Sequence, residues 1–371
     1  MNLLGLIPEP PFDPLSWSGL SAYFFRALRE QAVLLNAEEV SLGAFRETVE
    51  KTLAVSMPLQ RWKERYHSSV SRFAAMTKVA AKMISAHPDI NGVLQVGAWF
   101  SSGSATRLPC FSYHDGNAAL QYRYYGRGLV SEPRQREHLS WERSVYSNLT
   151  GIFVMSKWLA DSFIRDFGMP AAKVHVVGAG INIDSLPALP ERSWAVPKFL
   201  LVGKDFQRKG GKYLLEAFEI VRREIPEAQL TVVGPELQIK MPGLQCPGYL
   251  AKSNPEDLKR LKEFFRSATA VVLPSIYEPF GVSLLEGMAF GLPCIASDRC
   301  AMPEIVHHGQ TGFLVPAEDS RSLGDAMIQL AKNPVDAAKM GLAGRRRIES
   351  TFTWNTVAGK IKSVLLDEYH I

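Results

Sequence analysis

The side chains best placed to do chemistry lie in residues 274–293, PSIYEPFGVSLLEGMAFGLP. An apolar run, AVVL, reads as a strand just before them; a loop with Glu278 and Gly281 follows, then a helix that carries Glu286. A glycine loop at a helix N-terminus offers unpaired backbone N–H groups and the positive end of the helix dipole, which together suit a diphosphate. In that loop a carboxylate at Glu278 can accept hydrogen bonds from sugar hydroxyls. Glu286, eight residues on, can hold a ribose diol. Two glutamates at this spacing also fit a turn residue and a solvated helix residue, and the spacing alone leaves both readings open.

The elements that must position these residues alternate between short apolar strands and amphipathic helices, the order of parallel α/β sheets. In the second half, strands are predicted at Phe199–Val202, Leu230–Val233, Ala270–Leu273, Cys294–Ala296 and Phe313–Val315, with helices near 212–224, 255–267, 282–290 and 320–332. The first half predicts strands at Asn2–Ile7, Val93–Val96, Pro109–Tyr113, Ile152–Met155 and Val174–Val177, with helices near 19–31, 58–85, 134–148 and 157–167. Pro187, Pro190 and Pro197 mark 186–197 as a linker, and a last helix is expected over 356–368. Ligands of such doubly wound units sit at the C-terminal ends of the strands.

Composition narrows the class. A chain of 371 residues suits two domains, and 46% hydrophobic with 21% charged residues is a globular composition. No run of about 18 uncharged apolar residues occurs, so no transmembrane helix is expected. The N-terminus lacks the basic leader of a signal peptide. Cys110, Cys246, Cys294 and Cys300 show no metal-ligand spacing and read as thiols of a reducing compartment, the cytoplasm. A net charge of +5 is too small to argue for nucleic acid.

The motif PS-x-x-EPFG-x-x-x-LEG-MAFGLP resembles the paired-glutamate segment of glycosyltransferase family 4, the retaining GT-B enzymes. Three further segments follow in the family's order: LVGKDFQRKGG (201–211), PEAQLTVVG (226–234) and ASDRCAMPEIVHHGQTGFLV (296–315). The likeness is densest from about 150 to 360. It implies an α/β GT-B fold, two Rossmann-like doubly wound domains facing across a cleft: an acceptor-side domain over 1–190, a donor domain over 191–352, and a C-terminal helix over 353–371 that crosses back. It implies Lys209 as the cation that neutralises the leaving diphosphate, with Arg208 sharing the work and Lys204 standing where an arginine is usual. Phe280, Gly281 and Val282 become the backbone of the diphosphate loop. Gly19, in DPLSWSGLSAYFFRAL, would let backbone approach the donor closely, although Ser18 here replaces a second glycine and could simply cap the helix. His114, in CFSYHDGN, is implied to face the donor sugar; a loop histidine equally fits a surface residue or a satisfied hydrogen bonder.

The resemblance further implies transfer of a hexosyl group from a nucleotide-diphosphate sugar to a hydroxyl of a glycan or lipid-linked glycan, with retention and without a metal or other cofactor. No DxD motif of the metal-dependent class is present. Glu278 then positions the sugar and no covalent nucleophile is named. Two basic stretches bear on the acceptor. Residues 61–82 carry Arg61, Lys63, Arg65, Arg72, Lys78 and Lys82, and read either as a helix on the inner face of an anionic membrane or as one that packs through Phe73, Met76, Val79 and Met83. Residues 121–143 interleave Tyr122, Tyr124 and Tyr125 with Arg123, Arg127, Arg134, Arg136 and Arg143. No nucleic-acid-binding module accompanies these charges. The alternatives are a catalytically silent partner-binding subunit or another enzyme of the same fold, such as a sugar-nucleotide epimerase or a phosphorylase.

Overall fold

The computed structural model describes residues 1–57, 59–125 and 130–371. The chain forms two compact units, Met1–Gly180 with Trp354–Ile371, and Ile181–Thr353. Arg127 of the second basic stretch, and Pro58 at the start of the expected helix over 58–85, lie outside the described residues.

The N-terminal unit runs β1 (Leu3–Ile7), α1 (Leu20–Glu30), β2 (Leu34–Glu39), α2 (Ala44–Leu53), α3 (Leu59–His67), α4 (Val70–Ser85), β3 (Gly92–Val96), β4 (Cys110–His114), α5 (Ala118–Tyr124), α6 (Glu132–Ser147), β5 (Gly151–Val154), α7 (Lys157–Phe167) and β6 (Val174–Val176). Its strands lie in the order β2-β1-β3-β4-β5-β6 and every pair is parallel. Strands β1, β3, β4 and β5 are buried along their whole length. Helices cover both faces of such a sheet, and so these strands read as unbroken apolar runs.

The second unit runs β7 (Lys198–Val202), α8 (Gly211–Glu224), β8 (Gln229–Val233), β9 (Leu244–Gly248), α9 (Pro255–Ser267), β10 (Ala270–Leu273), α10 (Val282–Ala289), β11 (Cys294–Ser297), α11 (Met302–Ile305), β12 (Gly312–Val315), α12 (Ser320–Lys332) and α13 (Pro334–Thr351). Its sheet is also parallel, in the order β12-β11-β10-β7-β8-β9. A last helix, α14 (Trp354–Asp367), belongs to the N-terminal unit. Trp354 packs edge-on against Phe24, with its ring centroid 5.7 Å away, and against Tyr113; Lys362 Nζ donates to the Gln31 carbonyl at 2.9 Å. Among the described residues no helix is long and apolar enough to cross a membrane.

Several elements differ from the sequence expectation, each for a local reason. The helix expected over 58–85 is two helices: Ser69 caps α4, its Oγ accepting from Arg72 N–H, and α4 buries Phe73, Met76, Ala80 and Ile84 in its own unit. Edge strands β2 and β9 face solvent in part and lack an apolar run. Helix α13 shows no broad apolar stripe because it packs backbone to backbone: a Cβ on Gly341 would lie 1.9 Å from the Gly291 carbonyl oxygen.

Trp354 is only 6% exposed, so Trp354→Ala should cost about 3–5 kcal/mol by leaving a cavity under α14. Calorimetry should find the melting of the N-terminal unit lowered by about 6 °C or more. A change below about 2 °C would mean that Trp354 does not anchor the terminal helix.

Candidate active site

In the second unit the chain winds outward from β7 to β8 and β9 on one side, and from β10 to β11 and β12 on the other. The connections leaving β7 and β10 therefore diverge, which opens a crevice beyond the C-terminal ends of those two strands. The loop after β7 holds Gly203, Lys204, Arg208 and Lys209; the loop after β10 holds Ser275, Tyr277, Glu278 and Gly281. They are stitched together. Ile276 N–H donates to the Arg208 carbonyl at 2.9 Å, and Arg208 Nη1 donates to the Tyr277 carbonyl at 2.7 Å.

Between these loops Lys209 Nζ donates to Glu278 Oε2 at 2.8 Å, and both side chains are about nine-tenths buried. Arg208 Nη1 stands 3.5 Å from the same oxygen, and Ser275 Oγ 3.4 Å from it. Burial pushes the Glu278 carboxyl up, but the adjacent Lys209 and Arg208 charges and the bonds from Lys209 and Ser275 outweigh it. The group is held below its ordinary value and stays ionised at neutral pH. Gly203 makes room for the arrangement: a Cβ there would lie 1.9 Å from Lys209 Cε and 2.2 Å from Cδ. The lysine stem lies across the glycine, a contact that the run LVGKDFQRKGG carries without announcing.

Helix α10 starts beside this pair. Gly281 caps it in the left-handed region at φ 87°, a conformation that glycine adopts without strain, and no side chain caps its first turn. Val282 opens the helix, and its N–H has no intrahelical acceptor. Ser283 Oγ is buried and has no hydrogen-bond partner among the described residues, an orphan donor in the same turn. Glu286 is 5% exposed and ion-paired with Lys252, from the loop between β9 and α9. The Phe280 ring packs edge-on against Phe352, with centroids 6.3 Å apart. Among the described residues no group of three or more His, Cys, Asp or Glu side chains is placed to hold a metal ion.

The structure thus brings Arg208, Lys209, Glu278, Gly281 and Val282 together, with Glu286 farther along the same helix. Lys204 stands apart, its Nζ 4.3 Å from the centre of the Tyr249 ring. In the N-terminal unit, Gly19 at φ 86° caps α1 at the end of the loop that leaves β1, and β1 lies where that sheet reverses its winding. The cap belongs to Gly19 itself.

His114 departs from expectation. It is the last residue of β4, 2% exposed, with Nε2 2.8 Å from Ser112 Oγ and its ring packed against Tyr146 and Phe163. Strand alternation puts it on the same face as Ser112, against Tyr146 and Phe163, so it is a core histidine and not a loop side chain. Burial depresses its pKa to about 3. Asp115, one residue on, instead accepts from Trp17 Nε1 at 3.3 Å and ties the β4 loop to the β1 loop. Nothing in the spacing of Trp17 and Asp115 flags that link.

NMR titration should find the His114 ring neutral down to about pH 4. Its folded pKa lies below its unfolded value, so the unfolded chain binds the extra proton as pH falls below about 6.5, and stability drops from there. Glu278 adds a separate loss below its ordinary value of 4.5. A His114 signal titrating between pH 6 and 7 would contradict the buried placement.

Residues 194–347 match the family model described as glycosyl transferases group 1, and residues 40–185 match that described as glycosyltransferase family 4. A glycogen synthase of Mycobacterium tuberculosis is 29% identical over 248 residues, covering 64% of this chain and 59% of that protein. A phosphatidyl-myo-inositol mannosyltransferase of Mycobacterium leprae is 33% identical over 193 residues, covering 50% and 51%. The matched region thus spans little more than half the length of these relatives. A sucrose-phosphate synthase of Thermosynechococcus elongatus superposes with a TM-score of 0.72 at 18% identity, covering 100% of this chain and 99% of that one. HepE of Anabaena, solved with UDP, gives 0.69 at 16% identity, covering 99% and 100%. The fold is GT-B, and the chain belongs to the family 4, or group 1, glycosyltransferases.

Proposed function

We propose that this protein is a retaining, metal-independent hexosyltransferase that uses a nucleotide-diphosphate sugar. The observation that carries the reading is the buried cluster of Lys209, Arg208 and Glu278 at the point where the sheet reverses its winding, beside the uncapped first turn of α10. Two cations and a helix N-terminus supply, without an ion, the positive charge that a departing diphosphate needs. HepE was solved with UDP-glucose, which supports a donor of this class.

In this reading the diphosphate binds over α10, within reach of the Val282 and Ser283 N–H groups and the orphan Ser283 hydroxyl. Lys209 and Arg208 neutralise the charge that develops as the anomeric C–O bond breaks. Glu278, kept ionised, accepts from the sugar hydroxyls, and Glu286 accepts from the ribose diol. The acceptor oxygen attacks the anomeric carbon from the face the diphosphate leaves, and its proton passes to the departing phosphate oxygen. The acceptor, a hydroxyl of a glycan or lipid-linked glycan, is assigned to the N-terminal unit. Four free thiols favour the cytoplasm.

Thermal-shift and calorimetric titration with UDP, GDP, ADP and CMP, with and without EDTA, should show stabilisation by one base that EDTA leaves unchanged. No binding by any of them, or binding that EDTA abolishes, overturns the proposal. Lys209→Met should weaken that nucleoside diphosphate by about ten- to a hundredfold. Gly203→Ala should do the same by displacing the lysine stem, and the double variant should be no weaker than either single one because both remove one contact. Additive losses would show that Gly203 does not act through Lys209.

A further inference from the structure

Exposed apolar side chains are concentrated at one place in the N-terminal unit. Of the sixteen large hydrophobic residues exposed among the described residues, five fall between 45 and 59: Phe45 (83% exposed), Leu53 (65%), Val55 (58%), Met57 (81%) and Leu59 (52%). They lie on α2, the turn after it and the first residue of α3, an excursion that leaves the end of edge strand β2. A soluble protein gains nothing by holding a phenylalanine and a methionine almost fully in water, and such a patch marks a contact surface.

The other side of the excursion is firmly tied down. Glu50 pairs with Arg46 at 2.7 Å and accepts from the Ser71 and Ser69 hydroxyls. Tyr66 OH bonds Glu47 and accepts from Arg72 Nε, while Trp62 Nε1 donates to the Lys51 carbonyl and Arg65 Nη1 to the Val55 carbonyl. Glu64 accepts from Gln121. All three acids between 44 and 67 are thereby occupied, against five basic residues, and Arg61 and Lys63 stand exposed without an ion-pair partner among the described residues. The polar side is fixed; the apolar side chains and two uncompensated cations are left outward.

We propose that α2, the turn after it and the start of α3 form a docking element for an anionic lipid surface. Phe45, Met57 and their neighbours enter the acyl boundary, and Arg61 and Lys63 meet the headgroups. Apolar side chains beside lysine and arginine are the pattern of helices that lie in a membrane interface. Charge also argues against a second copy of this chain as the occupant. A two-fold contact through this patch would bring the uncompensated Arg61 and Lys63 of both copies into one interface, where like charges oppose association. Of the basic stretch 61–82, only the α3 end that carries Arg61 and Lys63 belongs to this face; the α4 portion packs inward. The inference rests on this surface and not on the donor site.

Co-sedimentation with phosphatidylcholine vesicles, and with vesicles in which a third of the lipid is phosphatidylglycerol, tests it. The wild-type protein should bind the anionic vesicles and not the neutral ones. Phe45→Ser with Met57→Ser should weaken binding about tenfold or more, and Arg61→Glu with Lys63→Glu should do so comparably. These side chains are exposed, so each variant should melt with the parent and keep any thermal shift with nucleotide, which separates this test from that of the donor site. Wild-type protein left in the supernatant, or Ser variants that bind as well as the parent, overturns the proposal. So does a wild-type dimer in light scattering that the Ser variants convert to monomer, since the patch would then be an interface between copies.

Discussion

The second unit of this molecule is organised around one buried ion pair, Lys209 with Glu278, held between loops that leave neighbouring parallel strands in opposite directions. Taking two charges from water costs several kcal/mol for each, and the cost is offset only where geometry and further hydrogen bonds complete the pair. Here Arg208 and Ser275 complete it. The loops are in turn fixed to each other through main-chain groups of Arg208, Ile276 and Tyr277. Gly203 is part of the same constraint, because the lysine stem fills the space a side chain would take.

That arrangement has a chemical consequence. A carboxylate held ionised between two cations is a poor proton donor and a strong hydrogen-bond acceptor. Two cations against one carboxylate leave a net positive charge in the cluster, beside the start of α10. Glu286 forms a second buried ion pair one turn along α10. It is buried, and Lys252 reaches it from a loop beyond β9, so the far edge of the sheet also contributes to the site.

The N-terminal unit spends its polar groups differently. His114, Ser112 and the aromatic rings around them form a satisfied interior, and Tyr113 on the opposite face stacks on Phe24 and meets Trp354 of the terminal helix. Its exposed hydrophobic side chains gather instead on the α2–α3 excursion, whose own acids are tied up by hydrogen bonds and ion pairs. One unit is thus built around a charge cluster in a crevice, and the other offers an apolar and basic surface.

The sequence by itself determined the alternation of strands and helices, most of the buried strands, and the run from Glu278 through Gly281 to Glu286, because these depend on local period and on residue type at short spacing. It also placed Arg208 and Lys209 in the loop after β7. Tertiary structure alone decided that Lys209 reaches Glu278 across 69 positions, that Gly203 makes room for it, and that Lys252 pairs with Glu286. Such partners are chosen by strand order, which no local pattern encodes. His114 shows the same limit from the other side: one residue of strand register decides between a loop side chain and a core one. The edge strands β2 and β9 and helix α13 carry no local signal, because half-exposed strands and backbone-to-backbone packing leave no apolar stripe. The break at Ser68 and Ser69 was hidden by the continuous basic and apolar pattern on either side of it; only the packing of α4 into its own unit, with α3 turned out beside α2, separated the buried helix from the exposed one.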